Sequence, residues 1–146
     1  MADLDIGPPF LDGDRIPEYV CRSDGEEVTV FLAHLDAHNH SLTYANAGNW
    51  PAYIIDAQGQ VTHVLRTDGY PIGLTPELEL QPNEPIPLQV GSLAVFITDG
   101  IPEARDMADN QFGIDRLLAL VQHHRESPAS EIVQLVRDEV RRFMGT

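Results

Sequence analysis

Several features are scarce in this chain, and each scarcity argues against a class of protein. Cys21 is the single cysteine, so no intramolecular disulfide forms, which fits a reducing compartment and predicts a cytoplasmic protein. No apolar run approaches the roughly 20 residues that span a bilayer, so membrane insertion of this segment is not expected. Residues 1–14 carry acidic residues and prolines where a secretory signal has a basic and then an apolar stretch.

Basic residues are scarce as well: nine stand against 23 acidic ones, giving a formal net charge of −14. A chain of this charge is repelled by the phosphates of nucleic acid and by anionic lipid, so nucleic acid is not an expected partner. The acidity fits either plain solubility or a cleft that binds cations. With 42% hydrophobic residues in 146, the chain is apolar and long enough to bury a core.

Short strands separated by turn residues are predicted for most of the chain. Residues 1–27 hold several turn-forming pairs and are expected to be an irregular lead-in, while residues 28–146 form the domain. The predicted strands are 28–36, 42–47, 52–55, 61–65 and 93–97, with short edge strands near 77–80 and 86–88. Because apolar side chains occupy both alternating sets of residues 28–36, this strand is predicted to be covered on both faces.

The spacing of apolar residues becomes helical after Gly113. From Ile114 to Val121 they recur at i, i+3, i+4 and i+7, which predicts an amphipathic helix. Ser127 is expected to cap a final helix, with Pro128 at its first position. Strands followed by helices predict an α+β fold.

Asp99 is the carboxylate most suited to chemistry, because it closely follows the strand 93–97 in the tripeptide Thr98-Asp99-Gly100. A carboxylate held at a strand end offers the hard oxygen ligand that Mg²⁺ and Mn²⁺ prefer, and a glycine beside it permits a sharp turn. An ordinary Asp-Gly turn explains the same residues, and from the tripeptide alone it is the favoured interpretation.

Further polar residues follow in the next loop. Glu103 and Arg105 are expected to form a salt bridge or to orient the loop after the Asp-Gly turn. Asp106, Asp109 and Asn110 follow closely, and this acidic loop either holds a cation or is simply solvated. The solvated loop is the favoured interpretation.

Taken in order, several segments resemble the SpoIIE-type branch of the PPM metal-dependent protein phosphatases, which includes regulators of stress and sporulation sigma factors. The resembling segments are 28–36 with 42–48 (LTYANAG), 69–74 (GYPIGL), 93–105 (LAVFITDGIPEAR) and 111–117 (QFGIDRL). Each motif is weak by itself, but their shared order and spacing are specific. They extend over residues 28 to 125, and the last helix fits as well.

The resemblance implies an αββα sandwich of antiparallel strands, of which this chain would form the C-terminal part with its helices. It implies hydrolysis of phosphoserine or phosphothreonine on a small regulatory protein, typically an anti-sigma-factor antagonist. It also implies two Mn²⁺ or Mg²⁺ ions that share the attacking water. Asp99 matches a metal-ligand aspartate of the family. Thr98, Gly100, Glu103 and Arg105 would form the loop near that site.

Other parts of the family pattern do not occur here. The two N-terminal motifs that supply further metal aspartates are missing, as is the terminal DD.T segment. Asn49 replaces a usual histidine and Ser92 a usual aspartate. The expectation is therefore a truncated phosphatase domain, and the alternative is a non-catalytic protein-binding module derived from the same fold. Strand edges left open by truncation predict self-association.

Overall fold

The computed structural model describes residues 19–21, 27–67, 69–74 and 78–145, and this part of the chain holds eight strands and two helices. The strands are β1 (Tyr19–Cys21), β2 (Val30–Asp36), β3 (Ser41–Ala47), β4 (Ala52–Ile55), β5 (Val61–Leu65), β6 (Leu78–Leu80), β7 (Ile86–Pro87) and β8 (Leu93–Val95). The helices are α1 (Ile114–His123) and α2 (Ala129–Met144). Antiparallel strands followed by two C-terminal helices confirm the predicted α+β class.

Strand boundaries follow the sequence prediction closely in the middle of the chain. Residues 52–55 and 61–65 form strands as predicted, whereas β8 ends at Val95 instead of Ile97. The strand β1 lies within the expected lead-in and pairs antiparallel with β6. The lead-in is therefore not irregular at residues 19–21, and most of its remainder lies outside the described residues.

The described residues form two compact units. The first unit comprises the described residues up to Pro51 together with those between 65 and 90, and the second comprises residues 52–64 and the described residues from Gly91 onward. Each unit contains a cluster of buried apolar side chains. The sequence does not reveal this division, because the chain alternates between the units and the crossing points carry no linker-like composition.

The sheet of the first unit has the strand order β2-β3-β7, with both outer strands antiparallel to β3. Two small side chains of β3, Ala45 and Ala47, leave room for Ile72 and Leu80, and all four are buried together. Apolar side chains at the start of β2 pack against this cluster. Burying an isoleucine or leucine contributes about 1.5–3 kcal/mol each, so this cluster holds the loop of residues 69–74 against the sheet.

Only one face of β2 is covered in the second half of the strand. Val30 and Leu32 are half-buried against the core, whereas Ala33 and Leu35 on the opposite face are exposed. The prediction that both faces are covered is therefore wrong for the second half of this strand. The physical reason is its place at the edge of the sheet, where alternation of apolar residues does not ensure that something packs on both sides.

The sheet of the second unit has the order β5-β4-β8, and the central strand β4 is buried at all four positions. Tyr53 stands opposite Val95 and Ile55 opposite Leu93 in the antiparallel pairing with β8. Ile55 packs in a cluster with buried side chains of both helices and of the loop before them. The other buried members of this cluster are Phe112, Leu117, Val121, Ile132 and Val140.

The two helices are joined to each other and to the β4–β5 turn by directed contacts. Phe112 meets Phe143 edge to face at 5.4 Å between ring centroids, and the Arg116 guanidinium lies 4.7 Å from the Phe143 centroid. At the end of α1, Gln122 Nε2 donates to the Gly59 carbonyl at 2.8 Å. Among the described residues, neither helix combines the length and apolarity that a membrane span requires.

The final helix begins one residue later than predicted. Pro128 is its N-cap, with φ −54° and ψ 144°, and its carbonyl accepts the backbone N–H groups of Glu131 and Ile132. No side chain caps this end. The prediction of Ser127 as the cap is therefore wrong. The extended ψ of Pro128 excludes it from the helix and makes it the flanking residue instead.

Candidate functional site

Asp99 opens a turn that is held by its own backbone. The chain leaves β8 at Val95, and the turn begins three residues later. Within it, the Glu103 N–H donates to the Asp99 carbonyl at 2.9 Å, and the Ile101 N–H donates to the Thr98 carbonyl at 3.4 Å. These bonds fix the Asp99 backbone while leaving its carboxylate uncommitted to the turn.

Most polar residues of this turn face solvent, although Pro102 within it is buried. Thr98, Asp99, Gly100 and Glu103 are all exposed. The strand before them is covered on one face only, because Ala94 is exposed between two half-buried neighbours. The run of apolar residues from Leu93 to Ile97 looks like a buried strand in the sequence, but only one face of β8 is covered. What the structure provides is a fixed backbone with an accessible carboxylate.

Gly100 does not have the steric role suggested by the sequence. A Cβ at this position would meet no heavy atom within 4 Å, and the residue does not adopt a positive φ. The turn after Asp99 therefore forms without any requirement for glycine. The tripeptide is compatible with an ordinary turn as well as with an ion beside it.

Arg105 contacts a different carboxylate from the one predicted. Its Nη1 lies 2.9 Å from Asp109 Oδ2 and also donates to the Asp109 carbonyl at 3.1 Å. The expected salt bridge with Glu103 is therefore wrong. The reason is the tight loop that follows, closed by a bridge between Arg105 and Gln111, which brings Asp109 back to the arginine. Arg105 thus stabilises the next loop, outside the Asp99 turn.

Asp106 organises that loop through its carboxylate. Its Oδ1 accepts the backbone N–H groups of Ala108 and Asn110 at 2.9 Å each, and Oδ2 accepts Asn110 Nδ2 at 3.0 Å. The side-chain bond from Asn110, followed by its backbone bond, holds the pKa of the Asp106 carboxyl below its ordinary value. Hydrogen bonds within the loop account for these polar groups, which agrees with the interpretation as a solvated loop.

Asp106→Asn is expected to lower the melting temperature at pH 7, and the difference from the parent chain is expected to shrink on acidification. Because the folded pKa is depressed, the stabilisation is present above about pH 4, where an unfolded aspartate ionises, and is lost as the pH falls through the folded pKa. Thermal unfolding of both chains between about pH 2 and pH 7 measures this. A difference that stays constant across the range contradicts a role for the charge.

A polar arrangement that the sequence analysis missed lies at the end of β3. Asn46 is 2% exposed, and its Oδ1 accepts the Asn49 N–H at 2.9 Å while its Nδ2 donates to the Asn49 carbonyl at 3.2 Å. Asn49 Oδ1 in turn accepts the Trp50 N–H at 2.9 Å. Asn49, which stands where the family pattern has a histidine, therefore shapes this turn. The sequence feature that could have indicated this turn is the pair of asparagines, Asn46 and Asn49, on either side of Gly48.

The donor set of the described residues does not fit a two-ion centre. No three or more histidine, cysteine or acidic side chains within this part of the chain come together in a way that could hold a metal ion. Mg²⁺ and Mn²⁺ take several oxygen ligands each, and a two-metal site needs a carboxylate set that serves both ions. A complete two-ion centre would therefore require donors from outside the described residues.

Comparison with known proteins identifies the family of the chain. The family model for Stage II sporulation protein E (SpoIIE) matches residues 14–146. The chain belongs to the SpoIIE family. This confirms the resemblance that the ordered motifs predicted.

A curated relative of this SpoIIE-family chain is Protein IcfG of Synechocystis sp., which is 27% identical over 135 residues. That alignment covers 90% of this chain but 21% of IcfG, so the chain spans about a fifth of its relative.

Two solved structures share the fold of this SpoIIE-family chain. The SiaA-PP2C domain of Pseudomonas aeruginosa matches with a TM-score of 0.63 and 18% identity, over 90% of this chain and 47% of that one. The phosphatase domain of SpoIIE from Bacillus subtilis, presoaked with Mn, matches with a TM-score of 0.50 and 23% identity, over 79% of this chain and 49% of that one. The chain therefore has the fold of part of a PP2C-type phosphatase domain, about half of the solved chains in length.

Proposed function

We propose that this chain contributes the C-terminal part of a metal-dependent protein serine/threonine phosphatase, with Asp99 as one ligand to Mn²⁺ or Mg²⁺. The observation that carries the proposal is the family match over residues 14–146, combined with a fold shared with two phosphatase domains. Asp99 supports it locally, because its exposed carboxylate projects from a turn whose backbone is hydrogen-bonded.

The role of this chain's own residues is to hold one ligand in place. The Glu103 N–H bond to the Asp99 carbonyl restrains the turn, so the carboxylate is offered from a fixed backbone position. The remaining ligands come from polypeptide outside the described residues, in keeping with a match to about half of each solved chain. The fragment alone is then not expected to hydrolyse phosphoproteins.

The proposed substrate is a phosphoserine or phosphothreonine on a small cytoplasmic regulatory protein, of the kind represented by anti-sigma-factor antagonists. Support for this class comes from the SpoIIE family match. The second candidate function is a module that binds such a protein without hydrolysing the phosphate. The assay described next distinguishes the two functions.

A phosphate-release assay tests the proposal. The full-length protein that contains this chain is incubated with phosphoserine and phosphothreonine peptides in the presence of Mn²⁺. Release is expected to stop on addition of EDTA and to return with excess Mn²⁺. Peptide binding without release under Mn²⁺ or Mg²⁺ would favour the non-catalytic module and overturn the phosphatase assignment.

Calorimetry of the 146-residue chain with Mn²⁺ tests where the ligands lie. A single exposed carboxylate binds a divalent ion weakly. Mn²⁺ binding is therefore expected only at about millimolar concentrations, similar to the weakest protein cation sites. Submicromolar binding by the chain alone would contradict the proposal that further donors are supplied from elsewhere.

A further inference from the structure

The sequence contains four Asp-Gly pairs, which begin at Asp12, Asp24, Asp68 and Asp99. In such a pair the backbone nitrogen of glycine can attack the aspartate side chain, because glycine has no side chain that obstructs the approach. The product is a five-membered succinimide ring, which water opens to aspartate or to isoaspartate. The structure describes both residues only for the pair that begins at Asp99, and both of them are exposed.

The backbone nitrogen of Gly100 has no competing bond in this turn. Within the described ranges, no backbone carbonyl accepts the Gly100 N–H, and the bonds that close the turn use the N–H groups of Ile101 and Glu103 instead. These bonds do not use the Asp99 carboxylate either. The attacking nitrogen and the carbon it attacks are therefore neighbouring groups that no turn bond holds back, and such closeness favours an intramolecular reaction.

The space around Gly100 permits the movement that ring closure requires. The peptide plane between Asp99 and Gly100 must rotate toward the aspartate side chain. A Cβ at Gly100 would meet no heavy atom within 4 Å, so no neighbouring group obstructs this rotation on the glycine side. The rotation breaks the bond from the Glu103 N–H to the Asp99 carbonyl, but a backbone bond in an exposed turn opens locally at low cost.

The pair Asp68-Gly69 has the same two residue types but a different environment at its glycine. The Gly69 N–H donates to Thr67 Oγ1 at 3.3 Å, and the Thr67 hydroxyl donates to the Gly69 carbonyl at 2.7 Å. Gly69 also forms a parallel bridge with Ala47, which is buried. Asp68 itself lies outside the described residues. Because the Gly69 nitrogen is held by these contacts, a local opening must precede its attack.

We propose that Asp99 is a site of spontaneous isoaspartate formation in the folded chain. The Gly100 nitrogen forms a bond to Asp99 Cγ and gives up its proton, while one side-chain oxygen leaves as water. A second water then opens the ring. Its attack on the main-chain carbonyl carbon of Asp99 breaks the bond from that carbon to the Gly100 nitrogen and leaves isoaspartate, whereas attack on Cγ restores aspartate. The composition of the chain is unchanged, so the reaction needs no oxidant and no cofactor.

Isoaspartate changes where the carboxylate of this residue lies. The backbone then runs through the former side chain and is one methylene longer, and the free carboxylate is attached directly to Cα. Under the proposed function, this change removes Asp99 from the position of a metal ligand. That consequence rests on the proposed function, whereas the isomerisation itself does not.

Peptide mapping of the aged chain tests the proposal. Cleavage after glutamate places the four Asp-Gly pairs in different peptides, with Asp68 in residues 28–77 and Asp99 in residues 80–103. After prolonged incubation of the folded chain at neutral pH, fragmentation mass spectrometry measures the isoaspartate in each peptide. Isoaspartate is expected to form at Asp99 about tenfold or more faster than at Asp68, because the hydrogen bond of the Gly69 nitrogen must first be lost. Equal rates, or a faster rate at Asp68, overturn the proposal.

An unfolded sample separates the effect of the structure from that of the flanking sequence. In guanidinium chloride the contacts of Gly69 are lost, so Asp68 and Asp99 are expected to form isoaspartate at similar rates. A difference between the two peptides that persists in the unfolded chain would assign it to the flanking sequence and overturn the structural argument.

Gly100→Ala tests which nitrogen attacks. The variant is expected to form isoaspartate at Asp99 about tenfold or more slowly, because a methyl group on the neighbouring carbon hinders the nitrogen and restricts the backbone. The melting temperature is expected not to fall, since the residue has no positive φ and the added methyl group meets nothing within 4 Å. An unchanged rate at Asp99 contradicts the proposed reaction. None of these measurements uses phosphatase activity, so the result is independent of the proposed function.

Discussion

Replacing Asp99 by asparagine is expected to abolish Mn²⁺-dependent phosphate release by the full-length protein, with a loss of about 100-fold or more. Removing a residue that only supports a metal ligand typically lowers metal affinity or activity about 10–100-fold. Removing the charge of a ligand itself is therefore expected to lower activity by about 100-fold or more. The amide of asparagine keeps one oxygen of similar reach but has no charge to offer a hard divalent ion. The measurement is kcat/KM on a phosphoserine peptide across a Mn²⁺ titration.

Two further results separate a ligand role from a structural one. Because Asp99 is exposed and its carboxylate is not used by the turn, Asp99→Asn is expected to leave the melting temperature of the chain unchanged. Asp138→Asn makes the same change of charge on the exposed side of α2 and is expected to keep full activity. Full activity of Asp99→Asn would remove this residue from the metal site and with it the local support for the proposal.

Gly48→Ala is expected to destabilise the chain by about 3 kcal/mol. Gly48 has φ +72°, and a Cβ there would lie 2.6 Å from Pro71 Cγ and 2.9 Å from the Pro71 backbone nitrogen. A left-handed conformation costs an alanine about 1–2 kcal/mol, and overpacking adds about 1–3 kcal/mol. The proline ring has little freedom to withdraw, so the turn or the loop of residues 69–74 must shift.

Gly145→Ala provides the matched control for this prediction. Gly145 has a similar φ of +79°, but a Cβ there meets nothing within 4 Å. Its variant is expected to lose only the conformational contribution, about 1–2 kcal/mol. Urea unfolding of both variants and the parent chain separates the contact with Pro71 from the cost of the backbone conformation. Equal losses at the two positions would show that the close approach to Pro71 relaxes without cost.

The sequence around Asp99 predicted some local features of the structure and missed others. A run of apolar residues ending in Thr98-Asp99-Gly100 was sufficient to predict a strand followed by a turn, and both are present. The pattern did not predict how much of β8 is covered, because coverage depends on what packs against each face. It also suggested a need for glycine at position 100 that the structure does not show, since a Cβ there meets nothing.

Side chains with several possible partners nearby in the sequence are where prediction from sequence failed. Glu103 and Arg105 were expected either to form a salt bridge or to orient the loop after Asp99, but the loop brings Asp109 to Arg105 instead. Asn46 was assigned no role, yet it is buried and bonded to the turn that follows it. In both cases a hydrogen-bonding side chain had several candidates at similar sequence distance, and only the path of the backbone selects among them.

The sequence by itself determined the class of fold, the order of strands and helices from β2 onward, and the family, because these follow from the period of apolar residues and from motifs read in order. Tertiary structure alone decided which face of β2 stays open, which acid Arg105 meets, and that the described residues bring one metal-ligand candidate and no complete centre. The physical reason is that periodicity is a property of neighbours along the chain. Burial and coordination require groups from distant segments to arrive at one place.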